Sequence, residues 1–240
     1  DYAVRMGARV SNNSYGGYGY SQTIYDAVAR ARDADHLFVA AAGNESNDND
    51  ATPAYPASYD LDNIVSVAAS DRNDRLASFS NYGAASVDLA APGVAILSTV
   101  PGGGTAVYDG TSMATPHVVG AAALVLSVDP SLSYAALRSA LLGNVDPVEV
   151  LNGRCLTGGR LNVGNILPKM GGTTPVAVRS LAAWFRFDDG GATVEDFTLA
   201  APWRRDWRQA GRLEAGAAMA NAAAFLPPGD TDGDALPDWW

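Results

Sequence analysis

The eight residues Gly110-Thr111-Ser112-Met113-Ala114-Thr115-Pro116-His117 set a serine hydroxyl at the mouth of a long apolar run, Ala114 through Val125 to Ser127. The run is rich in alanine and too long for a strand, so it predicts a buried helix with Ser112 at its beginning. Backbone N–H groups at a helix start have no partner inside the helix, and the positive end of the dipole lies there. Negative charge developing beside Ser112 is therefore stabilised. The flanking glycine leaves room for another backbone to approach. This is a setting for attack by a serine oxygen, although a serine before a helix can also be only its N-cap. The hydroxyl becomes a useful nucleophile when an imidazole takes its proton and a carboxylate holds that imidazole. The chain has two histidines. His36 follows a helix in Asp35-His36-Leu37, and His117 lies five residues past Ser112 on the same helix, pointing away from the nucleophile face. Neither is assigned as the base, and His117 is expected to be packed and hydrogen-bonded.

The elements that must position Ser112 alternate along the chain. Short apolar, β-rich runs follow helical patterns, as in a parallel sheet with crossover helices, so the expected class is a layered α/β fold. Ser21 can cap a helix in which Ile24, Ala27, Val28 and Ala31 recur at helical spacing. Leu37 to Ala42 is continuously apolar and ends at Gly43-Asn44, as a strand buried on both faces should. Ile64 to Ala68 and Val87 to Ala90 read as further strands. A shorter helix capped by Ser133, with Leu137, Leu141 and Leu142 on one side, closes the domain before a glycine-rich loop at Gly158-Gly159.

The octet around Ser112 resembles, without a mismatch, the nucleophile signature of the subtilisin-like serine peptidases, the subtilases. Further segments are similar to that family in the same order: Val10 to Gly17 with its Ser-x-Gly-Gly turn, Ala40 to Glu45, Phe79-Ser80-Asn81-Tyr82-Gly83 and Leu89-Ala90-Ala91-Pro92-Gly93. Together they cover most of residues 1–167. The resemblance implies an α/β three-layer sandwich with a mostly parallel sheet, here incomplete, and hydrolysis of peptide bonds. It makes Ser112 the nucleophile that forms the acyl-enzyme, and Asn44, with the Ser112 N–H, the oxyanion donor. Ser14, Tyr15 and Gly16 become one edge of the substrate pocket, and Ala41, Ala42 and Gly43 the other. Ala54 lies where the family places the pocket floor, which implies a preference for large apolar side chains.

The family's Asp-Thr/Ser-Gly and His-Gly-Thr-His motifs, which supply the catalytic Asp and His, are not found in these residues. The expectation is a fragment of an active endopeptidase, itself inactive and poorly soluble alone. The alternative is a catalytically dead subtilase-like scaffold in a calcium-dependent binding or adhesion protein. Retention of both Ser112 and Asn44 favours the fragment.

Of 240 residues 48% are hydrophobic, enough for one substantial core and a smaller appendage. The net charge of −10 argues against a nucleic-acid partner. The one cysteine, Cys155, has no partner for a disulfide within the chain and reads as a small side chain in a loop. No apolar run reaches membrane-spanning length, and no signal peptide is recognisable; secretion is an expectation from the family alone.

The peptidase domain is expected over residues 1–168 and a linker over 169–176. Residues 177–227 resemble the start of a laminin-G or concanavalin-like β module, and 228–240 the Asp-rich calcium repeats of thrombospondin type 3. Asp230, Asp232, Asp234 and Asp238 are candidate ligands for a structural Ca²⁺, with a solvated acidic linker as the other reading. No cofactor is expected for catalysis, protein or peptide substrates are the expected partners, and the oligomeric state is left open.

Overall fold

The computed structural model of the chain describes residues 2–101 and 103–167. The expected linker, β module and calcium-repeat tail, with Asp230, Asp232, Asp234 and Asp238, lie outside the described residues.

A short helix, α1 (Tyr2–Arg5), precedes strand β1 (Val10–Asn13). Helix α2 (Gln22–Asp33) starts at Ser21, whose hydroxyl accepts the Ile24 N–H. The buried side of α2 is Val28 and Ala31 with Tyr25 and Ala29 beside them, while Ile24 is 40% exposed. Ile24 was expected on the core side. Val28 and Ala31 of the same spacing are buried, and at the start of the helix Tyr25 takes the inner place, packed edge-on against Tyr59 at 5.5 Å between ring centroids.

Strands β2 (Leu37–Ala41), β3 (Ile64–Ser70) and β4 (Leu89–Pro92) are almost wholly buried. β4 begins two residues beyond the expected Val87, because the Asp88 carboxylate takes the Ser66 N–H at 2.7 Å in place of a ladder carbonyl. A hairpin that the sequence did not announce, β5 (Ile96–Thr99) with β6 (Thr105–Tyr108), stands apart as its own sheet. Then come α3 (Thr111–Val128) and α4 (Tyr134–Leu142), the latter capped by Ser133 through the Ala136 N–H. Two-residue strands β7 (Asp146–Pro147) and β8 (Gly159–Arg160) and the short α5 (Val163–Ile166) complete the described chain.

The main sheet has six strands in the order β1-β2-β3-β4-β8-β7. All neighbours are parallel except the β7–β8 pair. Side chains alternate across it. Leu37, Val39, Val65, Val67, Leu89 and Ala91 face α3 and α4, and Phe38, Ala40 and Ile64 face α2 and the Tyr59 region, which gives three layers. Cys155 is not simply a loop residue: it is 3% exposed and fills a third cluster with Ala42, Val87 and Leu151.

α3 is 18 residues long with mean hydropathy 1.4, so by length and composition it equals a membrane span, contrary to the expectation that no run would. Its burial explains the composition. Thr111, Ala114, Thr115, Val118, Ala121, Ala122 and Val125 form one buried stripe against the sheet, and Val119 and Leu124 on other sides are partly covered. Alanines in that stripe let the helix axis come close to β3 and β4.

Candidate active site

The N-cap of α3 is Gly110, which makes Ser112 the second residue of the helix and leaves its hydroxyl without a capping bond. Ser112 Oγ donates instead to the Ser14 carbonyl, at 3.3 Å. The reading of Ser112 as merely an N-cap therefore fails. Pro116 stands four residues further on and has no N–H, so the Ser112 carbonyl lacks the regular helix bond from that position. The Ser14 hydroxyl supplies one at 2.9 Å. A proline inside the signature and a serine at the end of β1 thus meet in one interaction that ties the nucleophile's backbone to the cleft wall.

Asn44 follows β2 in the loop that faces this helix start. Its Oδ1 accepts the Thr111 N–H at 2.8 Å and the Thr111 hydroxyl at 3.0 Å, and the same hydroxyl accepts the Gly43 N–H at 3.2 Å. A backbone N–H can only donate, so the amide oxygen must face Thr111 and the NH₂ must turn the other way. Among the described residues, neither the Asn44 Nδ2 nor the Ser112 N–H has a hydrogen-bond partner. Ser112, Asn44 and Thr111 all line one cleft.

Of the seven residues expected to shape the pocket, Tyr15, Gly16, Ala41, Ala42, Gly43 and Ala54 line that cleft. Ser14 does not, because its side chain is turned to the Ser112 carbonyl. Ala41, Ala42 and Ala54 are at most 6% exposed and present only methyl groups. The outer end is polar: the Tyr18 hydroxyl donates across to Glu45 Oε2 at 3.2 Å, and that oxygen also accepts the Asn44 N–H at 2.9 Å.

Sequence reasoning had given no role to Thr111, Tyr18, Glu45 or Asn81. For Thr111 the adjacency to Ser112 was a signal; for Asn81 nothing local pointed to the loop it holds. The two upstream family-like segments acquire structural reasons. Asn81 bonds the Asn44 loop, and Gly93 lies where a Cβ would come within 2.6 Å of the Ala69 Cβ and 2.8 Å of the Gly110 carbonyl. The Gly110 N–H donates to the Gly93 carbonyl at 2.8 Å, which seats the helix start on the end of β4.

Neither histidine is bonded to Ser112. His117 Nδ1 pairs with the Met113 carbonyl at 2.9 Å within α3. His36 is 2% exposed. Its Nδ1 donates to the Ala8 carbonyl at 2.7 Å, which leaves Nε2 to accept from the Ser11 hydroxyl at 2.8 Å. Burial holds both imidazoles below their ordinary pKa. Among the described residues no group of three or more His, Cys, Asp and Glu side chains is arranged to hold a metal.

A three-layer sandwich around a mostly parallel sheet, with a serine in the first turn of a central helix and an asparagine amide beside it, is a subtilisin-type architecture. The chain belongs to the subtilase family, whose model matches residues 1–167. It is 44% identical over 140 residues to alkaline elastase YaB of Bacillus sp. (strain YaB), covering 58% of this chain and 35% of that protein. Subtilisin BL of Lederbergia lenta is 45% identical over 141 residues, 59% of this chain and 50% of that one. The chain thus spans half or less of these relatives. Among solved structures, a mutant of the protease domain of PatA aligns with a TM-score of 0.63 and 34% identity, over 72% of this chain and 64% of that one. The prenylagaramide maturation protease PagA aligns with a TM-score of 0.63 and 32% identity, over 71% and 65%.

Proposed function

We propose that the protein to which these residues belong is a serine endopeptidase in which Ser112 attacks the scissile carbonyl and Asn44 Nδ2, with the Ser112 N–H, binds the oxyanion. The observation that carries this reading is the locked Asn44 amide. Its oxygen is consumed by Thr111, so its NH₂ is preset toward the cleft before any charge exists there. A donor fixed in advance lowers the barrier rather than the ground state, because the charge appears only as the tetrahedral intermediate forms. Removing it is expected to cost about 10²–10³-fold in kcat, a magnitude carried over from subtilisin itself, which belongs to the same family.

In the acyl-transfer step the Ser112 oxygen bonds to the carbonyl carbon as an imidazole takes its proton, and the same imidazole returns that proton to the departing amine. Both histidines of the chain are engaged elsewhere. On this reading the imidazole and its carboxylate come from outside these residues, and the fragment alone is inactive. The alanine-lined cleft favours a peptide with an apolar side chain before the scissile bond. Secretion of the parent is part of the same proposal.

Fluorophosphonate labelling of the full-length parent and of its Ser112→Ala variant is the test. Labelling confined to the parent supports an activated Ser112; no labelling of correctly folded, matured parent overturns the reading.

A further inference from the structure

The Asn81 side chain is fully buried, yet all of its hydrogen bonds go to one short loop and its support. Its Oδ1 accepts the Glu45 N–H at 2.9 Å and the Asn47 N–H at 3.0 Å. Its Nδ2 donates to the Ala42 carbonyl and to Asn49 Oδ1, each at 3.1 Å. The backbone N–H of Asn81 adds a bond to the Gly43 carbonyl at 2.9 Å. Both donors and both lone pairs of the amide are therefore used, and the bonded positions 42, 43, 45 and 47 bracket Asn44 from either side. Asn49, itself 1% exposed, doubles the hold: its Nδ2 donates to the same Ala42 carbonyl at 2.9 Å.

The fit leaves no slack. Gly43 has φ of +115°, and a Cβ built on it would lie 2.2 Å from Asn81 Nδ2. A buried residue that served only to fill space would be apolar, since an amide in that place costs free energy unless every polar atom is satisfied. Here every one is satisfied, three of the four bonds by backbone flanking Asn44 and the fourth by Asn49.

We propose that Asn81, seconded by Asn49, is a positioning residue for catalysis: it acts through Asn44 by fixing the loop so that the amide of Asn44 stands where the oxyanion forms. Thr111 orients the amide from the helix side, and Asn81 holds its backbone from the other. The proposal rests on the oxyanion role of Asn44, and the experiment separates the two.

In the full-length, matured enzyme, kcat and KM for a peptide p-nitroanilide are measured for Asn81→Ala in the wild-type and in the Asn44→Ala background. Expected is a fall in kcat of about tenfold or more with KM within about twofold, and a loss under about twofold once Asn44 is already absent. Asn49→Ala removes one bond to Ala42 and the acceptor for one N–H each of Asn81 Nδ2 and Asn47 Nδ2, and leaves the bonds of Asn81 Oδ1 to the Glu45 and Asn47 N–H groups. The same pattern is expected at smaller size, which keeps the test intact if Asn81→Ala does not fold. Equal losses in both backgrounds, or a loss confined to KM, overturn the proposal. If Asn44→Ala alone leaves kcat unchanged, the oxyanion role of Asn44 fails, and the purpose of the clamp with it.

Discussion

Ser14 and Ser112 exchange two hydrogen bonds across 98 residues of sequence, and this exchange decides where the candidate nucleophile stands. The Ser112 carbonyl needs a partner because Pro116 cannot provide one, so Ser14→Ala leaves it short of a bond beside the cleft. The expected result is a fall in kcat of about tenfold in the parent enzyme with little change in KM, read from steady-state kinetics on a peptide substrate. Tyr18 and Glu45 join the two walls of the cleft through one exposed bond. Tyr18→Phe removes the link and keeps the ring, so it is expected to raise kcat/KM for peptides with bulky side chains before the scissile bond, relative to those with alanine there. Unchanged selectivity across such a series would show that the bond does not shape the pocket.

β1 and α3 carry that pair into place, and each is anchored in its own way. His36 bonds the Ala8 carbonyl just before β1 and the Ser11 hydroxyl within it, and Asn13 bonds both Ser11 and the Val39 carbonyl. Burial depresses the imidazole pKa, with the nearby Arg9 acting in the same sense. A depressed folded value means that His36 contributes stability above its unfolded value of about 6.5, and that this is lost as pH falls through the lower folded value. The parent enzyme should therefore lose Tm on acidification below about pH 6.5 more steeply than its His36→Gln variant, as followed by calorimetry. α3 depends on closeness: Ala121 is fully buried in the stripe facing the sheet. Ala121→Leu forces extra methylene groups into that contact and is expected to destabilise by about 1–3 kcal/mol. A Tm equal to that of the wild type would show that the helix–sheet gap can absorb them.

For the molecule as a whole, β1 is an edge of the described sheet: it pairs with β2 on one side, and no described strand lies on the other. An unpaired parallel edge is a template for association. Residues 1–167 produced alone are expected to self-associate in size-exclusion chromatography and to remain unlabelled by fluorophosphonate, whereas the full-length parent is labelled. Labelling of the isolated piece would mean that its own side chains can activate Ser112, which the positions of His36 and His117 argue against.

The local features were legible from sequence because their causes are local. Ser21 and Ser133 cap helices with bonds to the N–H three residues on, and the length and alanine content of the apolar run after Ser112 marked it as a helix. The site motifs were equally readable, since the octet around Ser112 and the Gly43-Asn44 pair are contiguous. Tertiary structure decided the rest. α3 is apolar nearly all round, so its sequence left open which stripe would face the sheet, and contact with β1 to β4 chose it. β7 and β8 have two residues each, too few to show a period, and exist because each pairs with a neighbouring strand. Asn81 gained its partners and Ser14 its orientation from hydrogen bonds reaching across tens of residues. Such bonds satisfy buried groups that only the assembled fold brings together, which is why no window of sequence could announce them.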